Sequence, residues 1–320
     1  MKLLRTKNAP VLISAYNRPH KLEPCLGSLV RCKNYMSRQV HITVDAPSDE
    51  LNKRLVTECR EIAMSYAKRY RNIILHLPEE NTGGQIIQVT VDKIFESSPS
   101  LIALEDDNIL HRSFLNYMDY HLNANINNKS VFAVCGYSFP MNSDNDCSDV
   151  FYWQGHNAWG TGYYRDRWSE FKQQTKDSNS FIETYLLNFN LVLHRQKIAG
   201  HFLRSALSTY LRGKDHKDIL VSIYLAQKAM YNIYPKHSFV INTGHDGSGA
   251  NNKNITQKYL IEQFKCDQLE PYTAPVLCEK AGKLLRLFFK QPKRKKFVTY
   301  STYFILFIFL VIKLKLFKRS

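Results

Sequence analysis

Five short apolar runs separated by amphipathic stretches are the feature of this sequence that most restricts its fold. Each run is four to seven residues long, which is the length of a buried strand. The predicted strands are residues 10–16, 40–45, 73–77, 101–104 and 131–135, and helical stretches begin near residues 19, 49, 85 and 112. This alternation predicts an α/β fold with a mixed, mostly parallel sheet and helices on both faces.

The second half of the chain has a weaker pattern. We interpret residues 137–158, which are rich in Asn, Asp, Ser and aromatic side chains, as a long functional loop. A helix is predicted over residues 215–231 and a late strand over residues 239–242. A glycine-rich turn from Gly244 to Gly249 follows that strand.

Positive charge is concentrated at the carboxyl end of the chain. The formal net charge is +16, and twelve lysines and arginines but no acidic residue lie between Lys280 and Ser320. Subtracting those twelve charges leaves +4 for residues 1–279. Nucleic-acid-binding domains carry a basic surface on the folded body, so this distribution argues against that class. A basic tail instead suits an anionic membrane surface.

The tail also contains an apolar segment. Residues 297–312 are sixteen residues without a charge, and basic clusters lie on both sides. A spanning helix needs about 20 apolar residues, although lysine side chains at its ends can extend a shorter one. A helix that spans the membrane and a helix that lies in its plane both fit the sequence. A buried core helix fits less well because of the flanking basic clusters.

The cysteines indicate a reducing compartment. There are seven, none forms a C-x-x-C pair, and the chain is far longer than a disulfide-stapled scaffold. Met1 to Asn8 are short and polar, without the apolar core of a signal peptide. We therefore expect a protein associated with the cytoplasmic face of a membrane.

Polar residues follow each of the first four predicted strands, where open α/β sheets bind their ligands. They are Asn17 and Arg18, Asp45, residues 81–84, and the acidic triplet Glu105-Asp106-Asp107. Three adjacent carboxylates repel one another unless a cation compensates for their charge. Mg²⁺ or Mn²⁺ bridging to a diphosphate meets that need and neutralises a departing nucleotide diphosphate. The alternative is the acidic first turn of a helix, which the preceding buried strand disfavours.

Several segments resemble the nucleotide-sugar glycosyltransferases of the GT-A fold, most closely the N-acetylglucosaminyltransferase I type and its bacterial family 2-like relatives. Leu104 with the acidic triplet resembles their D-x-D-like metal motif. The other matching segments, within residues 9–252, are Ala9 to Pro19, Leu26 to Leu29, Asn81 to Gly84, Ala158 to Gly162, Arg165 to Trp168, Pro235 to Ser238 and Gly244 to Gly249. The resemblance implies a metal-dependent hexosyltransferase with a GT-A, Rossmann-like fold.

The resemblance also implies roles for the residues of the donor site. Asp107 is expected to bind Mn²⁺ or Mg²⁺, and Glu105 and Asp106 are expected to contact the sugar and ribose. Asp45 is expected to bind the uracil or ribose of the donor, and Arg18 to contact the nucleotide. The remaining expected contacts are Asn81, Gly83 and Trp159, of which the last offers an aromatic face to a pyranose.

An inverting member of this family needs a general base on the acceptor hydroxyl. The matching position lies within residues 215–218, where Asp218 fits the family spacing best and Asp215 is the alternative. Many relatives have a tryptophan where this chain has His216 and Lys217. His245 stands where relatives often have an apolar residue, which makes it a further candidate metal ligand.

The sequence thus predicts a GT-A-like domain over residues 1–255, a linker and basic amphipathic segment over 256–296, and a membrane-anchoring tail over 297–320. The expected reaction moves a sugar from a UDP-linked donor, with inversion, to a hydroxyl of a glycan or lipid-linked acceptor in surface polysaccharide or lipopolysaccharide biosynthesis. Two alternatives are a sugar nucleotidyltransferase and a non-catalytic membrane-bound glycan-binding module. The former usually has a glycine-rich loop after the first strand, and Asn17-Arg18-Pro19 does not supply one.

Overall fold

The five predicted strands are all present, and they belong to one eight-stranded sheet. The structure is a computed structural model that describes residues 8–140, 148–213, 217–247, 259, 261, 263–264 and 272–317. The strands of the sheet are β1 (Val11–Ala15), β2 (Val40–Val44), β3 (Ile73–His76), β4 (Ser100–Glu105), β6 (Val131–Cys135), β7 (Val150–Trp153), β8 (Thr161–Tyr164) and β9 (Tyr231–Pro235). Two shorter strands, β5 (Asn108–Leu110) and β10 (Val240–Asn242), pair with each other in a separate antiparallel ribbon.

Six of the eight strands point in the same direction. Their order across the sheet is β3-β2-β1-β4-β8-β6-β9-β7. β8 runs antiparallel to its neighbours β4 and β6, and β7 runs antiparallel to β9 at the edge. This mixed, mostly parallel sheet with its connecting helices confirms the predicted α/β fold class.

Parallel pairing brings the polar ends of β1, β2 and β4 to the same edge of the sheet, which we call the carboxyl edge. Ala15 pairs with Val44, and Ser14 pairs with Glu105. The residues that follow these strands therefore lie side by side.

Four helices connect the first five strands of the main sheet where the sequence predicts them. They are α1 (Pro19–Val30), α2 (Glu50–Arg69), α3 (Gln85–Ser97) and α4 (Phe114–Ala124). Pro19 stands in the first turn of α1, where a backbone N–H would have no acceptor within the helix, so proline costs no hydrogen bond there. Asp49 caps α2 by accepting a hydrogen bond of 2.9 Å from Asn52 N.

The prediction that residues 137–158 form a loop is wrong for their last part. Residues 150–153 are β7, and Val150, Phe151 and Trp153 in this strand are buried. Four large side chains in a row show no alternation, so the short strand cannot be recognised from periodicity. Residues 141–147 of the predicted loop lie outside the described residues.

Helices fill most of the chain between β8 and β9. They are α5 (Arg165–Gln174), α6 (Ser178–Leu187), α7 (Phe189–Ile198), α8 (Phe202–Arg212) and α9 (Lys217–Gln227). Of these, the sequence predicts only α9. The helix predicted over residues 215–231 is too long at its end, because Tyr231 already belongs to β9.

Two further helices form the carboxyl end, namely α10 (Glu279–Phe288) and α11 (Lys293–Phe317). Within α11, Lys293–Leu316 is long and apolar enough to cross a membrane by length and composition. In this structure the helix lies along α6. Tyr303 donates a hydrogen bond of 2.9 Å to the carbonyl of Leu186, and Lys313 Nζ lies 2.9 Å from Glu183 Oε1.

Candidate functional site

Arg18 binds two carboxylates of the acidic triplet at the carboxyl edge. It precedes α1 directly, and its guanidinium forms an ion pair with Asp106 and lies 2.9 Å from Asp107 Oδ2. The backbone N–H of Asp106 donates to Ser14 O at 3.1 Å, which fixes the triplet to β1. Burial raises the pKa of Asp106 to about 6, although the charge of Arg18 acts in the opposite direction.

Asp107 is held by β5, β10 and the turn after β10. Its Oδ1 accepts hydrogen bonds from Asn108 Nδ2 at 2.9 Å and Asn242 Nδ2 at 3.3 Å. Its backbone carbonyl accepts from Thr243 N at 2.9 Å. A Cβ on Gly244 would lie 2.2 Å from Asp107 Oδ2, so any residue other than glycine would clash with this carboxylate.

Glu105 is the last residue of β4, and charged residues of both the triplet and α9 affect its pKa. Burial raises its pKa, and the negative charges of Asp107, Asp218 and Asp106 raise it further. Arg18 lowers it. The pKa of Glu105 thus depends on the other two carboxylates of the triplet and on Asp218 of α9.

A cleft of about 290 Å³ opens at the carboxyl edge beside the triplet. The residues that line it include Tyr16, Asp45, Ser48, Asn81, Gly83 and Ile86. The sequence-predicted donor residues Asp45, Asn81 and Gly83 are therefore together in one cavity. Its size and mixed polar and apolar lining suit part of a small-molecule ligand.

The carboxylate of Asp45 shapes this cleft by holding the loop between β3 and α3. It accepts hydrogen bonds from the backbone N–H of Thr82 at 2.9 Å and Gly84 at 2.8 Å, and from Thr82 Oγ1 at 2.8 Å. Burial opposes ionisation of Asp45, but these hydrogen bonds lower its pKa overall. Gly83 and Gly84 have φ of +62° and +84°, the left-handed region that glycine adopts without strain.

A second cavity, of about 230 Å³, is lined mainly by aromatic residues. Its lining includes Trp159, which precedes β8, so in the strand order it lies across β4 from the cleft, whose lining follows β1 and β2. We call it the aromatic cavity; its lining includes Phe139, Trp153, His156, Trp159, Arg195, Asp218, His245 and Tyr259. The ring of Trp159 stands at right angles to that of His245, with centroids 4.9 Å apart. His245 is adjacent in sequence to Gly244, which touches Asp107, so the cavity begins next to the triplet.

Asp218 lies in the first turn of α9 and lines the aromatic cavity. Its side chain is 53% accessible, and partial desolvation by the surrounding protein raises its pKa to about 6. Its Oδ1 lies 3.8 Å from His156 Nε2. The alternative base, Asp215, lies outside the described residues.

His156 is a residue that the sequence interpretation did not identify. Its Nε2 lies 3.1 Å from the hydroxyl of Tyr163, and its Nδ1 lies 3.2 Å from Asn232 Nδ2. Burial, and then the charge of Arg195, lower the pKa of His156 to about 3, so the ring is neutral. Asn242 and Gly244 were also not identified as contacts of Asp107, since only the pairing of β10 with β5 brings them to it.

The described residues contain no group of three or more His, Cys, Asp or Glu side chains arranged as a metal site. Mg²⁺ and Mn²⁺ do not require one, because they bind through one or two carboxylates completed by waters and substrate phosphates. Asp107 is a carboxylate of the kind that this mode uses, and in this structure the Arg18 guanidinium lies at its Oδ2, so a metal ion bound there would take over part of the charge neutralisation that Arg18 provides. The role of Asp107 in holding a hard divalent cation together with a diphosphate stays a prediction.

No protein-family model matches the chain, and no curated protein matches it in sequence. Solved structures that resemble it include residues 1–349 of TarS from S. aureus, with a TM-score of 0.34, 14% identity and coverage of 53% of this chain and 49% of TarS. The chain therefore aligns with about half of that relative. The mannosyltransferase PcManGT from Pyrobaculum calidifontis, in complex with GDP-Man and Mn²⁺, gives a TM-score of 0.40 at 11% identity and covers 69% of both chains. The glycosyltransferase GlyE of Streptococcus pneumoniae gives 0.36 at 9% identity, with 70% of this chain and 44% of GlyE covered.

Proposed function

We propose that this protein is a glycosyltransferase that moves a sugar from a nucleotide diphosphate donor, UDP-linked in the simplest case, to a hydroxyl of a glycan or lipid-linked acceptor. The observation that carries the proposal is the position of the acidic triplet between two cavities. On one side, the cleft at Asp45 suits a nucleoside. On the other, the aromatic cavity suits a sugar and contains a carboxylate, Asp218.

The donor half of the reaction follows from the charges at the carboxyl edge. Asp45 holds the loop that closes the nucleoside cleft, and Arg18 lies where the diphosphate passes the triplet. Asp107 is the residue that would hold Mn²⁺ or Mg²⁺. When bound, the cation supplies positive charge to the phosphate oxygens of the leaving nucleotide diphosphate.

The acceptor half requires a base that takes the proton of the attacking hydroxyl. Asp218 suits this role because its pKa of about 6 keeps it ionised at neutral pH while leaving it basic enough to accept a proton. Attack from the side opposite the departing diphosphate inverts the anomeric carbon. Trp159 offers its ring to the apolar face of a pyranose in the same cavity.

A panel of nucleotide sugars tested for Mn²⁺-dependent hydrolysis is the direct test. We expect one donor to be hydrolysed, and Asp107→Asn to slow that hydrolysis by about 10²-fold or more, as for loss of a charge-stabilising group. Asp92→Asn removes a carboxylate from the exposed face of α3 and is the matched control. If no nucleotide sugar is hydrolysed and none raises the melting temperature, the transferase proposal fails.

Adding nucleoside triphosphates and sugar phosphates to this panel separates the alternatives. A sugar nucleotidyltransferase releases pyrophosphate from a nucleoside triphosphate and a sugar phosphate. A glycan-binding module hydrolyses no donor, and its glycan affinity survives Asp107→Asn.

We also propose association with the cytoplasmic face of a membrane through the carboxyl-terminal helices; deletion of residues 283–320 should then release the protein from membranes.

A further inference from the structure

A groove of about 530 Å³ between α8 and the first turns of α11 carries an excess of positive charge. Arg204 and Arg212 from α8 and Arg294 and Lys295 from α11 line it. Among the described residues, none of these four cations has a carboxylate at ion-pair distance. Four like charges in one groove repel one another, so an anion bound there gains favourable energy from all of them.

Apolar side chains lie beside these cations and continue beyond the groove. Leu207, Leu211 and Val298 line it, and Leu211 and Val298 are more than half exposed. From Val298 the exposed apolar surface extends along α11 through Ile305 and Phe309. A soluble phosphate or a nucleic acid would leave this apolar surface uncovered. A lipid with a phosphorylated head would contact both the four cations and the apolar surface.

The basic groove is connected with the site of the proposed reaction. Arg204 and Ser208 also line a neighbouring cavity of about 460 Å³, and this second cavity includes Asp218. Asp218 and His201 in turn line the aromatic cavity beside the triplet. A continuous surface thus leads from the four cations to the proposed base.

We propose that the basic groove binds the phosphate or diphosphate head of a lipid that carries the acceptor sugar, with the sugar directed toward Asp218. The assignment of the bound lipid as the acceptor rests on the proposed function. The binding of a lipid phosphate can be tested independently of that function. Arg204 and Arg294 face the groove from different helices and grip the head from both sides. The lipid chain lies against the apolar surface of α11.

Binding of the full-length protein to vesicles tests this. Three compositions are compared: phosphatidylcholine alone, phosphatidylcholine with a polyprenyl phosphate, and phosphatidylcholine with phosphatidylglycerol at the same surface charge. We expect the polyprenyl phosphate vesicles to bind most tightly. Arg204→Gln/Arg294→Gln should weaken that binding by about tenfold or more, the usual effect of losing charge-assisted hydrogen bonds.

Arg31→Gln/Arg69→Gln is the matched control, because it removes the same charge from the exposed ends of α1 and α2. Arg204→Lys keeps the charge in the groove and should retain most of the binding. Equal affinity for the two anionic vesicles, or equal weakening by both double variants, overturns the proposal in favour of general membrane electrostatics. Displacement by inorganic pyrophosphate with no contribution from the lipid chain overturns it in favour of a simple anion site.

UDP binding to the wild-type protein without vesicles separates this proposal from the proposed function. If UDP binds but lipid selectivity is absent, the groove proposal fails and the transferase proposal stands. If lipid selectivity is present but neither UDP nor another nucleotide diphosphate binds, the transferase proposal fails. The groove is then a lipid-phosphate site, and its role in presenting an acceptor is overturned.

Discussion

Asp218 Oδ1 lies 3.8 Å from His156 Nε2, and the neighbours of His156 determine which nitrogen carries its proton. The side-chain nitrogen of Asn232 donates to Gly155 O at 2.7 Å and lies 3.2 Å from His156 Nδ1. An amide nitrogen only donates, so Nδ1 accepts and the proton of the neutral ring is on Nε2. His156 therefore donates its N–H to the hydroxyl of Tyr163 at 3.1 Å, and the same edge of the ring faces Asp218 Oδ1 at 3.8 Å, beyond hydrogen-bond distance.

We expect His156 to be a positioning residue for Asp218. His156→Phe keeps an aromatic ring but removes the polar ring edge that faces Asp218. It should lower kcat by up to about tenfold, through loss of the hydrogen bond to Tyr163 that fixes this edge. KM for the donor should stay the same because the nucleoside cleft is elsewhere. His156→Gln keeps an N–H donor and should recover part of kcat. Steady-state kinetics check this, and a loss that is equal in both variants would contradict a positioning role.

Asp218 should determine the acid side of the pH–rate profile. A general base works only when ionised, and the pKa of Asp218 is raised to about 6 by desolvation. The rate constant kcat/KM should therefore be constant above that pH and fall tenfold per pH unit below it. Asp218→Asn should lower kcat by about 10²- to 10⁴-fold and remove this dependence. An unchanged acid limb in the variant would mean that the limb belongs to Asp106, whose pKa is also about 6, or that another residue is the base, with Asp215 the first to test.

Gly244 should be intolerant of even one added methyl group. A Cβ there would meet Asp107 Oδ2 at 2.2 Å, so Gly244→Ala must displace the carboxylate or the turn, at about 1–3 kcal/mol. We expect Mn²⁺-dependent UDP binding to weaken by at least about tenfold, measured by calorimetry. Gly282→Ala in α10 is the matched control, since a Cβ at that glycine meets nothing within 4 Å. Equal UDP affinity in both variants would show that Asp107 does not hold the donor.

The main-sheet strands and the helices of the first 135 residues could be predicted because each of them has its own local signal, whereas β5 was not predicted. The runs at β1 to β4 are apolar and short, and Pro19 and Asp49 stand at the starts of helices. The insertion of β8 between β4 and β6 has no such signal. Thr161-Gly162-Tyr163-Tyr164 becomes a central strand through its neighbours on both sides, which is a tertiary effect.

The candidate site shows the same division. The carboxyl-edge residues Arg18, Asp45 and the triplet follow parallel strands, so their proximity is a consequence of topology that the sequence can predict. His156 and Asn242 come from the second half of the chain, where their positions depend on β9 and β10 pairing with distant strands. A histidine between Gly155 and Asn157 carries no local sign of its contact with Asp218.

Arg18 should be replaceable in part by a divalent cation. It is the cation bound to Asp106 and Asp107, and removing one partner of a buried pair costs about 3–5 kcal/mol. Arg18→Gln should therefore lower the melting temperature, and Mn²⁺ should restore more of it than in the wild type. Arg38→Gln is the control, because Arg38 pairs at 2.6 Å with a single carboxylate, Asp119, outside the triplet. If Mn²⁺ raises the melting temperature of both variants equally, the cation does not bind at the triplet.

The paired histidines of β2 and β3 should make the fold sensitive to acid. His41 Nδ1 lies 2.9 Å from His76 Nε2, and one of these nitrogens must lack a proton for this hydrogen bond to form. Burial, and then the neighbouring charge of His76, lower the pKa of His41 from 6.5 to about 4, and burial also lowers that of His76. The unfolded chain thus binds protons that the folded chain excludes, so stability is complete above pH 6.5 and falls as the pH drops from 6.5 toward 4.

His41→Gln/His76→Gln removes both titrating rings from this pair. We expect its free energy of unfolding to fall less steeply over that interval, by up to about 1.4 kcal/mol per pH unit for each histidine. Denaturant titrations at a series of pH values measure the two slopes. His156, whose pKa is also lowered, leaves a residual slope in the variant. Identical slopes in the wild type and the double variant would mean that the pair takes up protons without breaking its contact between the strands.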